Sequence, residues 1–206
     1  LRSRKAGHLE PFTRVALMLA RGHDLWIVTQ AETVEAYLSL RDDLVRTAYA
    51  AYNHELVDRF MYEEGENRPL YGILVDVLGR INSQEDAFLA VRYFEMRLLD
   101  IIGFRPQLFT CVACGETIQA QDQFFSFQQG GILCPKCGLY AQEARPASLA
   151  ALKFMRHFQR SNYATATRAD LPPAVRRELE GLLHAYLIYL LERDLNSPSF
   201  LREVRK

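Results

Sequence analysis

The sequence contains no run of about 18 consecutive apolar residues, the length that a membrane-spanning helix requires. It also has no charged start followed by an apolar stretch, so we find no export signal. We therefore expect no membrane partner and a cytoplasmic location. The chain begins with Leu1 rather than methionine, which predicts a piece of a longer protein.

The motifs of common enzyme classes are absent as well. Neither the phosphate loop G-x-x-x-x-G-K-[ST] nor the dinucleotide loop G-x-G-x-x-G occurs, and there is no H-E-x-x-H metalloprotease motif. The five histidines are scattered along the chain. Adjacent carboxylates such as Glu63 and Glu64 point in different directions on a helix and make a poor acid–base pair. We infer that the chain is not an enzyme, with a small hydrolase as the minority alternative.

Cysteine is confined to one stretch, CVACGETIQAQDQFFSFQQGGILCPKCG, in which two Cys-x-x-Cys pairs are separated by nineteen residues. The pairs are Cys111 with Cys114 and Cys134 with Cys137. Four thiolates suit tetrahedral Zn²⁺, and four sulfur ligands leave no open position for catalysis. The residues between the pairs predict a β-hairpin with a turn at Gly130-Gly131. The segment therefore predicts a zinc ribbon whose zinc is structural.

Other uses of these cysteines fit less well. Without an export signal, structural disulfides are disfavoured, and a redox centre needs one pair rather than two. An iron–sulfur cluster stays open but is less common at this spacing. Gly115 and Gly138, which follow the pairs, fit sharp turns. Alternation along the hairpin predicts Phe125 and Phe127 on one face and Phe124 on the other.

Apolar periodicity predicts a fold of class α+β that is mostly α. Alternating apolar residues followed by a turn at Gly22–Asp24 indicate a β-hairpin over residues 8–32. After residue 33 the period becomes helical, with helix starts predicted at Asn67, Ser83, Ser148 and Asp170. Ser83 with Asp86 three residues later indicates a weak capping box, and that helix should stop at Gly103.

The formal net charge is zero, yet the charges are unevenly distributed. Residues 1–23 carry a net charge of +4 and residues 145–206 carry +5, whereas residues 24–144 carry −9. Such blocks are commonly solvated faces. If the two ends meet in the fold, they form one positive surface suited to nucleic acid.

Three stretches, in this order, resemble the RecO family of bacterial recombination mediators. They are SRKAGHLEPF (3–12), VRYFEMRLLDIIGFRPQLFTCVACG (91–115) and GGILCPKCG (130–138). A late LNSPSFLRE extends the resemblance over essentially the whole chain. The order and combination of the stretches carry the resemblance, because a four-cysteine ribbon alone is not specific to one family.

The resemblance implies two domains. Residues 1–36 would be the remnant of an OB-fold barrel, because five strands and their turns need about 50 residues or more. Residues 37–206 would form a helical bundle domain, with the ribbon inserted at 109–140. The family binds single- and double-stranded DNA, anneals strands, pairs with RecR, engages the acidic C-terminal tail of SSB and helps to load RecA. These expectations place the chain at the bacterial nucleoid.

The resemblance also suggests DNA contacts near the start of the chain. The candidate phosphate contacts are Arg2, Arg4, Lys5 and Arg21. A solvated loop at a chain terminus is the plain alternative. Phe12 and Trp26 are candidate stacking groups, and the C-terminal Arg202, Arg205 and Lys206 would extend the positive patch.

The SSB tail needs an apolar pocket with a basic rim, since it ends in a carboxylate after an aromatic residue. Arg92 and Tyr93 are our candidates for this pocket. An ion pair between Arg92 and Glu95 is the alternative use of the arginine. A different class of function also stays open, namely a zinc-ribbon scaffold that docks a basic partner on its acidic middle and binds no DNA of its own.

Overall fold

The hairpin predicted near the start of the chain is present. The computed structural model describes residues 6–61, 67–83, 85–191 and 197–204, and it opens on a single 3-10 turn at Ala6–His8. Strand β1 (Arg14–Arg21) pairs antiparallel with β2 (Trp26–Glu35) in a two-stranded sheet. The turn between them is closed by the amide of Gly22, which donates to the carbonyl of Leu25 at 3.1 Å.

Both faces of this sheet carry exposed apolar side chains. Those between 44% and 66% accessible include Leu17, Met18, Leu19, Trp26 and Ile27. A two-stranded sheet is marginal alone, so its position depends on its contacts with the helices. The ring of Phe12 lies 5.1 Å from that of His54, and Arg14 donates to the Tyr71 hydroxyl at 3.1 Å. These contacts fix the hairpin beside the first helices.

Three of the four helices of the first half begin at side-chain caps. The four helices are α1 (Leu38–Arg41), α2 (Leu44–Phe60), α3 (Arg68–Asn82) and α4 (Ala87–Ile101). Asp43 caps α2, Asn67 caps α3 and Asp86 caps α4, each by accepting from amides of the first turn. The predicted start at Asn67 is therefore confirmed.

The start of α4 differs from the prediction of a capping box opened by Ser83. Asp86 is itself the N-cap, and its carboxylate accepts from the amides of Phe88 at 3.1 Å and Leu89 at 3.3 Å. The hydroxyl of Ser83 instead donates to the carbonyl of Arg80, at the end of α3. A short aspartate satisfies first-turn amides directly, whereas the reach back in a capping box favours Glu or Gln.

Helix α4 is the most enclosed helix of the bundle. Every residue from Phe88 to Met96 is buried, and so are Leu98 and Leu99. A helix that is buried around its whole circumference packs against neighbours on all sides. It ends before Gly103, as predicted, where the amide of Phe104 donates to the carbonyl of Leu99 at 2.8 Å. The two buried charges on α4, Arg92 and Glu95, therefore lie inside the bundle.

The cysteine segment forms a three-stranded antiparallel sheet. Its elements are β3 (Gln123–Ser126), β4 (Gly131–Leu133), the short helix α5 (Pro135–Gly138) and β5 (Arg145–Ala147). The strand order is β4-β3-β5. The predicted Gly130-Gly131 turn is shifted, because Gly131 already pairs with Ser126 and the loop spans residues 127–130. The third strand, β5, lies beyond residue 140 and was not predicted.

The ribbon shares its core with the helices. Helices α6 (Leu149–Arg160), α7 (Tyr163–Ala166), α8 (Pro173–Leu191) and α9 (Ser197–Val204) follow the sheet. The rings of Phe125 and Phe127 lie 5.2 Å and 6.3 Å from the ring of Tyr186 on α8. Phe124 faces the other way, against Gly138. The predicted division of the three phenylalanines between two faces is confirmed.

The starts of two helices in this half differ in how far they could be predicted, because one depends on a neighbouring residue and the other on the fold. Ser148 caps α6 by accepting from the amide of Ala151 at 3.1 Å, as predicted. The start of α9 was not predicted, because its cap comes from another helix. Glu55 of α2 accepts from the amide of Ser197 at 2.7 Å. Within the described ranges, no helix has both the length and the apolar character that crossing a membrane requires.

Candidate functional site

The four cysteine sulfurs converge at one end of the ribbon. Cys111 and Cys114 lie in the loop before the sheet, and Cys134 and Cys137 lie at the junction of β4 and α5. The four ligand atoms all lie within 4.8 Å of one another, with Cys114 Sγ and Cys134 Sγ 3.9 Å apart. A tetrahedron with Zn–S bonds of about 2.3 Å has edges of about 3.8 Å. The sulfurs therefore fit a tetrahedral metal ion, and the predicted cysteines are brought together.

The two glycines beside the cysteine pairs serve different needs. Gly115 has φ +76°, a left-handed turn conformation, and its amide donates to the carbonyl of Cys111 at 2.9 Å. Gly138 is helical instead. A Cβ atom there would lie 2.2 Å from the Phe124 ring, so glycine provides room for that ring. The expectation of a sharp turn is correct for Gly115 and wrong for Gly138.

The local environment changes the acidity of the thiols. Burial raises the pKa of the Cys111 thiol, but backbone amides of Cys134, Cys114 and Ala113 outweigh this effect and lower it to about 6. Hydrogen bonding to the Cys134 thiol raises the pKa of Cys137 to about 12. Four thiolates cannot all stay ionised at this spacing without a cation between them. The cluster is suited to a divalent metal ion that takes thiolate ligands.

Arg92 is buried rather than displayed on a rim. It is 1% exposed, and its Nη2 lies 2.9 Å from Oε1 of Glu95, which also accepts from the Tyr52 hydroxyl at 2.5 Å. The ion pair weighed as an alternative from the sequence is therefore formed. Nε and Nη1 of Arg92 have no hydrogen-bond partner among the described residues. Two nitrogens of the guanidinium therefore keep donors that no described group satisfies.

Tyr93 points to another part of the bundle. Its hydroxyl donates to the carbonyl of Ser161 at 3.1 Å, and its ring meets those of Phe158 and Tyr163 edge-on. Arg97, on the next turn, donates to the same carbonyl at 2.7 Å. The structure gives Tyr93 and Arg97 roles in holding α4 against the end of α6.

A cleft of about 240 Å³ opens above Arg92. It lies between α2, α4, α8 and α9, and its lining comprises Tyr52, Arg92, Arg177, Glu180, Gly181, His184, Pro198, Leu201 and Arg202. Arg177 and Arg202 are exposed, whereas Pro198 and Leu201 are buried. Arg202, expected to extend a DNA-binding patch, lines this cleft. The lining combines Arg92, the apolar side chains of Pro198 and Leu201, and the exposed Arg177 and Arg202 with the carboxylate of Glu180.

Burial also affects the carboxylate beneath the cleft. It raises the pKa of Glu95 to about 7, although Arg92 and the Tyr52 hydroxyl both act to lower it. Burial thus favours the protonated form of Glu95, while its contacts with Arg92 and Tyr52 favour the carboxylate.

The candidate DNA contacts are located only in part. Arg2, Arg4 and Lys5 lie outside the described residues, as do Arg205 and Lys206. Arg21 is exposed at the end of β1 and pairs in register with Trp26, which is 66% exposed. Phe12 packs against His54 and is a structural residue.

Sequence reasoning did not find the residues around Arg92. Tyr52, Arg177, His184 and Arg202 come from three helices, and no local spacing links them. The available signal was the late LNSPSFLRE stretch, which was noted only for its resemblance and which forms the α9 wall of the cleft.

The similarity to known proteins extends over the whole length of this chain. A family model described as Recombination protein O C terminal matches residues 41–199. The DNA repair protein RecO of Roseiflexus sp. is 44% identical over 206 residues, which is 100% of this chain and 73% of the relative. The protein of the same name from Symbiobacterium thermophilum is 35% identical over 207 residues, covering 99% of this chain and 82% of the relative.

A further DNA repair protein RecO, from Dehalococcoides mccartyi, is 32% identical over 193 residues, covering 94% of this chain and 76% of the relative. The family match spans the helices and the four-cysteine ribbon, and the relatives extend the similarity to the N-terminal hairpin. On this evidence, the chain belongs to the RecO family.

Proposed function

We propose that this chain is a recombination mediator in DNA repair, which binds DNA without sequence preference, promotes strand annealing and helps to load RecA together with RecR and SSB. The observation that carries the proposal is similarity across 100% of the chain to a protein named DNA repair protein RecO. No covalent step is required, so the chain acts as a binding protein in the bacterial cytoplasm, at the nucleoid.

The proposed role of the cysteine centre is structural. Cys111, Cys114, Cys134 and Cys137 would hold one Zn²⁺, whose contribution is folding free energy rather than chemistry. Sulfur separations within 4.8 Å support this assignment. The chain's own contribution is to orient the sulfurs through knuckle amides, such as that of Cys134, which lies 3.3 Å from Cys111 Sγ.

The proposed DNA site includes the basic residues at the start of the chain. Arg2, Arg4, Lys5 and Arg21 would neutralise phosphates and release condensed counterions, so affinity should fall steeply with salt. Trp26 is exposed beside Arg21 and offers a ring on which a base can stack. Annealing then follows from screening two strands from each other while they sample register, which requires neither base-specific contacts nor ATP.

The proposed site for the SSB tail is the cleft above Arg92. A C-terminal carboxylate would accept from the two guanidinium nitrogens that lack partners, Nε and Nη1. The preceding aromatic residue would contact Leu201 and Pro198, and acidic residues further upstream would meet Arg177 and Arg202. Tyr93 would act only indirectly, by fixing α4, because its hydroxyl is bonded to Ser161.

The experiment that tests this function is fluorescence polarisation with the full chain and two probes across a salt series. One probe is a labelled single-stranded oligonucleotide and the other is an SSB-tail peptide. We expect both to bind, and we expect Arg177→Gln with Arg202→Gln to weaken only the peptide. Failure of both probes would contradict the proposal and favour a ribbon scaffold with no DNA binding of its own.

A further inference from the structure

Helix α6 presents cations to solvent, and none of them forms an ion pair with a carboxylate of the described residues. Lys153, Arg156 and Arg160 follow at spacings of three and four residues, so they lie along one side of the helix. No Asp or Glu occurs between Glu143 and Asp170. In the described part of the chain none of the three forms an ion pair, whereas arginines elsewhere, such as Arg176 with Asp86, do. We call these three residues the α6 stripe.

Two members of the α6 stripe are held in place by the start of the ribbon. The guanidinium groups of Arg156 and Arg160 lie 4.9 Å and 3.9 Å from the centre of the Phe109 ring. Arg156 also donates from Nε at 2.9 Å and Nη2 at 2.6 Å to the carbonyl of Leu108. Partial burial lowers the pKa of Arg156, and the charge of Arg160 lowers it further. Two like charges are therefore fixed side by side, and a bound polyanion would relieve their repulsion.

An apolar groove of about 610 Å³ adjoins the α6 stripe. Its lining comprises Asp122, Ser148, Leu149, Ala150, Lys153, Phe154, His157 and Ala169. The two polar residues at its far end already have partners. Asp122 accepts from the amide of Leu149 at 2.9 Å, and Ser148 donates to Glu178 at 2.6 Å. The same lining includes the half-buried ring of Phe154 and the exposed Lys153.

We propose that the α6 stripe and this groove form a second binding site for single-stranded DNA, in which Lys153, Arg156 and Arg160 contact phosphates and a base stacks on Phe154. The stripe runs about 10 Å along the helix, since each residue rises about 1.5 Å. Binding sites for single-stranded DNA typically combine cations, which contact phosphates, with an aromatic ring, on which any base can stack.

This second site extends the proposed function. It also rests on that function, because its ligand is again DNA. It differs from the N-terminal site in its residues and its location in the fold. A mediator has to hold two strands while they pair, and a chain with two separate sites can contribute to both. Charge alone would also attract an acidic peptide, so the test includes one.

The test measures affinity of the full chain for a labelled oligonucleotide at several salt concentrations. Lys153→Gln with Arg160→Gln removes two contacts and leaves Arg156, which supports the ribbon. The slope of log affinity against log salt should flatten by about 1.4, and affinity at 0.1 M salt should fall roughly 10- to 30-fold. Phe154→Leu should weaken binding about 5-fold or more with the slope unchanged.

The matched control removes the same charge from elsewhere. Arg59→Gln with Lys136→Gln should leave both slope and affinity near those of the unmodified chain. Wild-type affinity and slope in the Lys153/Arg160 variant would overturn the second site and leave the proposed function standing. No DNA binding by the unmodified chain would overturn both. If the Lys153/Arg160 variant loses binding of a labelled glutamate-rich peptide while keeping its DNA affinity, the α6 face is an acidic-protein site and the proposal is wrong.

Discussion

The ribbon sheet and the N-terminal hairpin are both small antiparallel sheets, but only one of them is enclosed. In the ribbon, Phe125 and Ile132 are at most 1% exposed, and four cysteine sulfurs gather at one end. In the hairpin, Trp26 is 66% and Met18 is 60% exposed. A small sheet is stabilised where a core or a metal completes it. The hairpin instead leaves its apolar surface free for contacts that the described residues do not make.

Removing a cysteine sulfur should have the largest effect on stability. It should leave the ribbon sheet without its metal, and therefore as weakly stabilised as the hairpin. Cys111→Ser or Cys134→Ser is expected to abolish metal binding, because structural zinc sites contribute about 10–16 kcal/mol to folding in small domains. The measurement is zinc content by elemental analysis, together with thermal unfolding. Ala113→Ser, in the same knuckle, is the matched control and should keep its zinc. Full zinc content in the cysteine variants would contradict the four-cysteine assignment.

Removing a core ring should be nearly as damaging. Phe125→Ala should lower the free energy of unfolding by about 3–5 kcal/mol, because the ring fills a fully packed space against Tyr186. Chemical denaturation of the metal-loaded chain measures this loss. A loss below about 1 kcal/mol would mean that the ribbon does not share a core with α8.

The buried carboxyl of Glu95, beneath the cleft, should make the stability of the helical part depend on pH. Burial raises the pKa of Glu95 to about 7, so the folded chain binds a proton that the unfolded chain has already released above about pH 4.5. This contribution to stability is complete below the unfolded pKa and is lost as pH rises to about 7. The stability of the unmodified chain relative to Glu95→Gln should therefore fall by up to about 3 kcal/mol between these limits.

Denaturation of both chains at pH 5 and pH 8 measures this change. Comparison with Glu95→Gln cancels every other titrating group that the two chains share. Arg92 and Tyr52 remain beside position 95 in both chains. A stability difference that stays constant, or one that moves in the opposite direction with pH, would show that Glu95 is ionised throughout this range.

The smallest effect on stability is expected in the hairpin. Trp26→Ala should change the free energy of unfolding by about 0.5 kcal/mol or less, because the side chain is 66% exposed. Its affinity for single-stranded DNA should nevertheless fall if the ring stacks on a base. A stability loss comparable with that of Phe125→Ala would remove the contrast between the two sheets.

Much of this architecture could be predicted from the sequence. Cysteine spacing located the four-cysteine cluster, alternation located the hairpin, and Asn67 and Ser148 marked helix starts, because each of these signals is local. The start of α9 was hidden because its cap, Glu55, lies on α2. Strand β5 is only three residues long and pairs across the chain.

The surroundings of Arg92 depended on packing rather than on local pattern. Spacing on α4 allowed both an ion pair with Glu95 and a peptide contact. Only the fold shows that Arg92 makes the ion pair and that two of its nitrogens have no partner among the described residues. The absence of an ion pair at Arg156 could not be predicted either, since the carboxylates of Asp122 and Glu178 reach α6 only in the fold and bond to its start instead.

The proposed function predicts that this chain promotes annealing through charge and without a covalent step. The most direct measurement is the rate at which two complementary labelled single strands pair when the full chain is added, across a salt series and with no nucleotide present. We predict faster pairing that is independent of sequence and declines as salt rises. Pairing no faster than that of the bare strands, or acceleration only when ATP is supplied and hydrolysed, would contradict the claim.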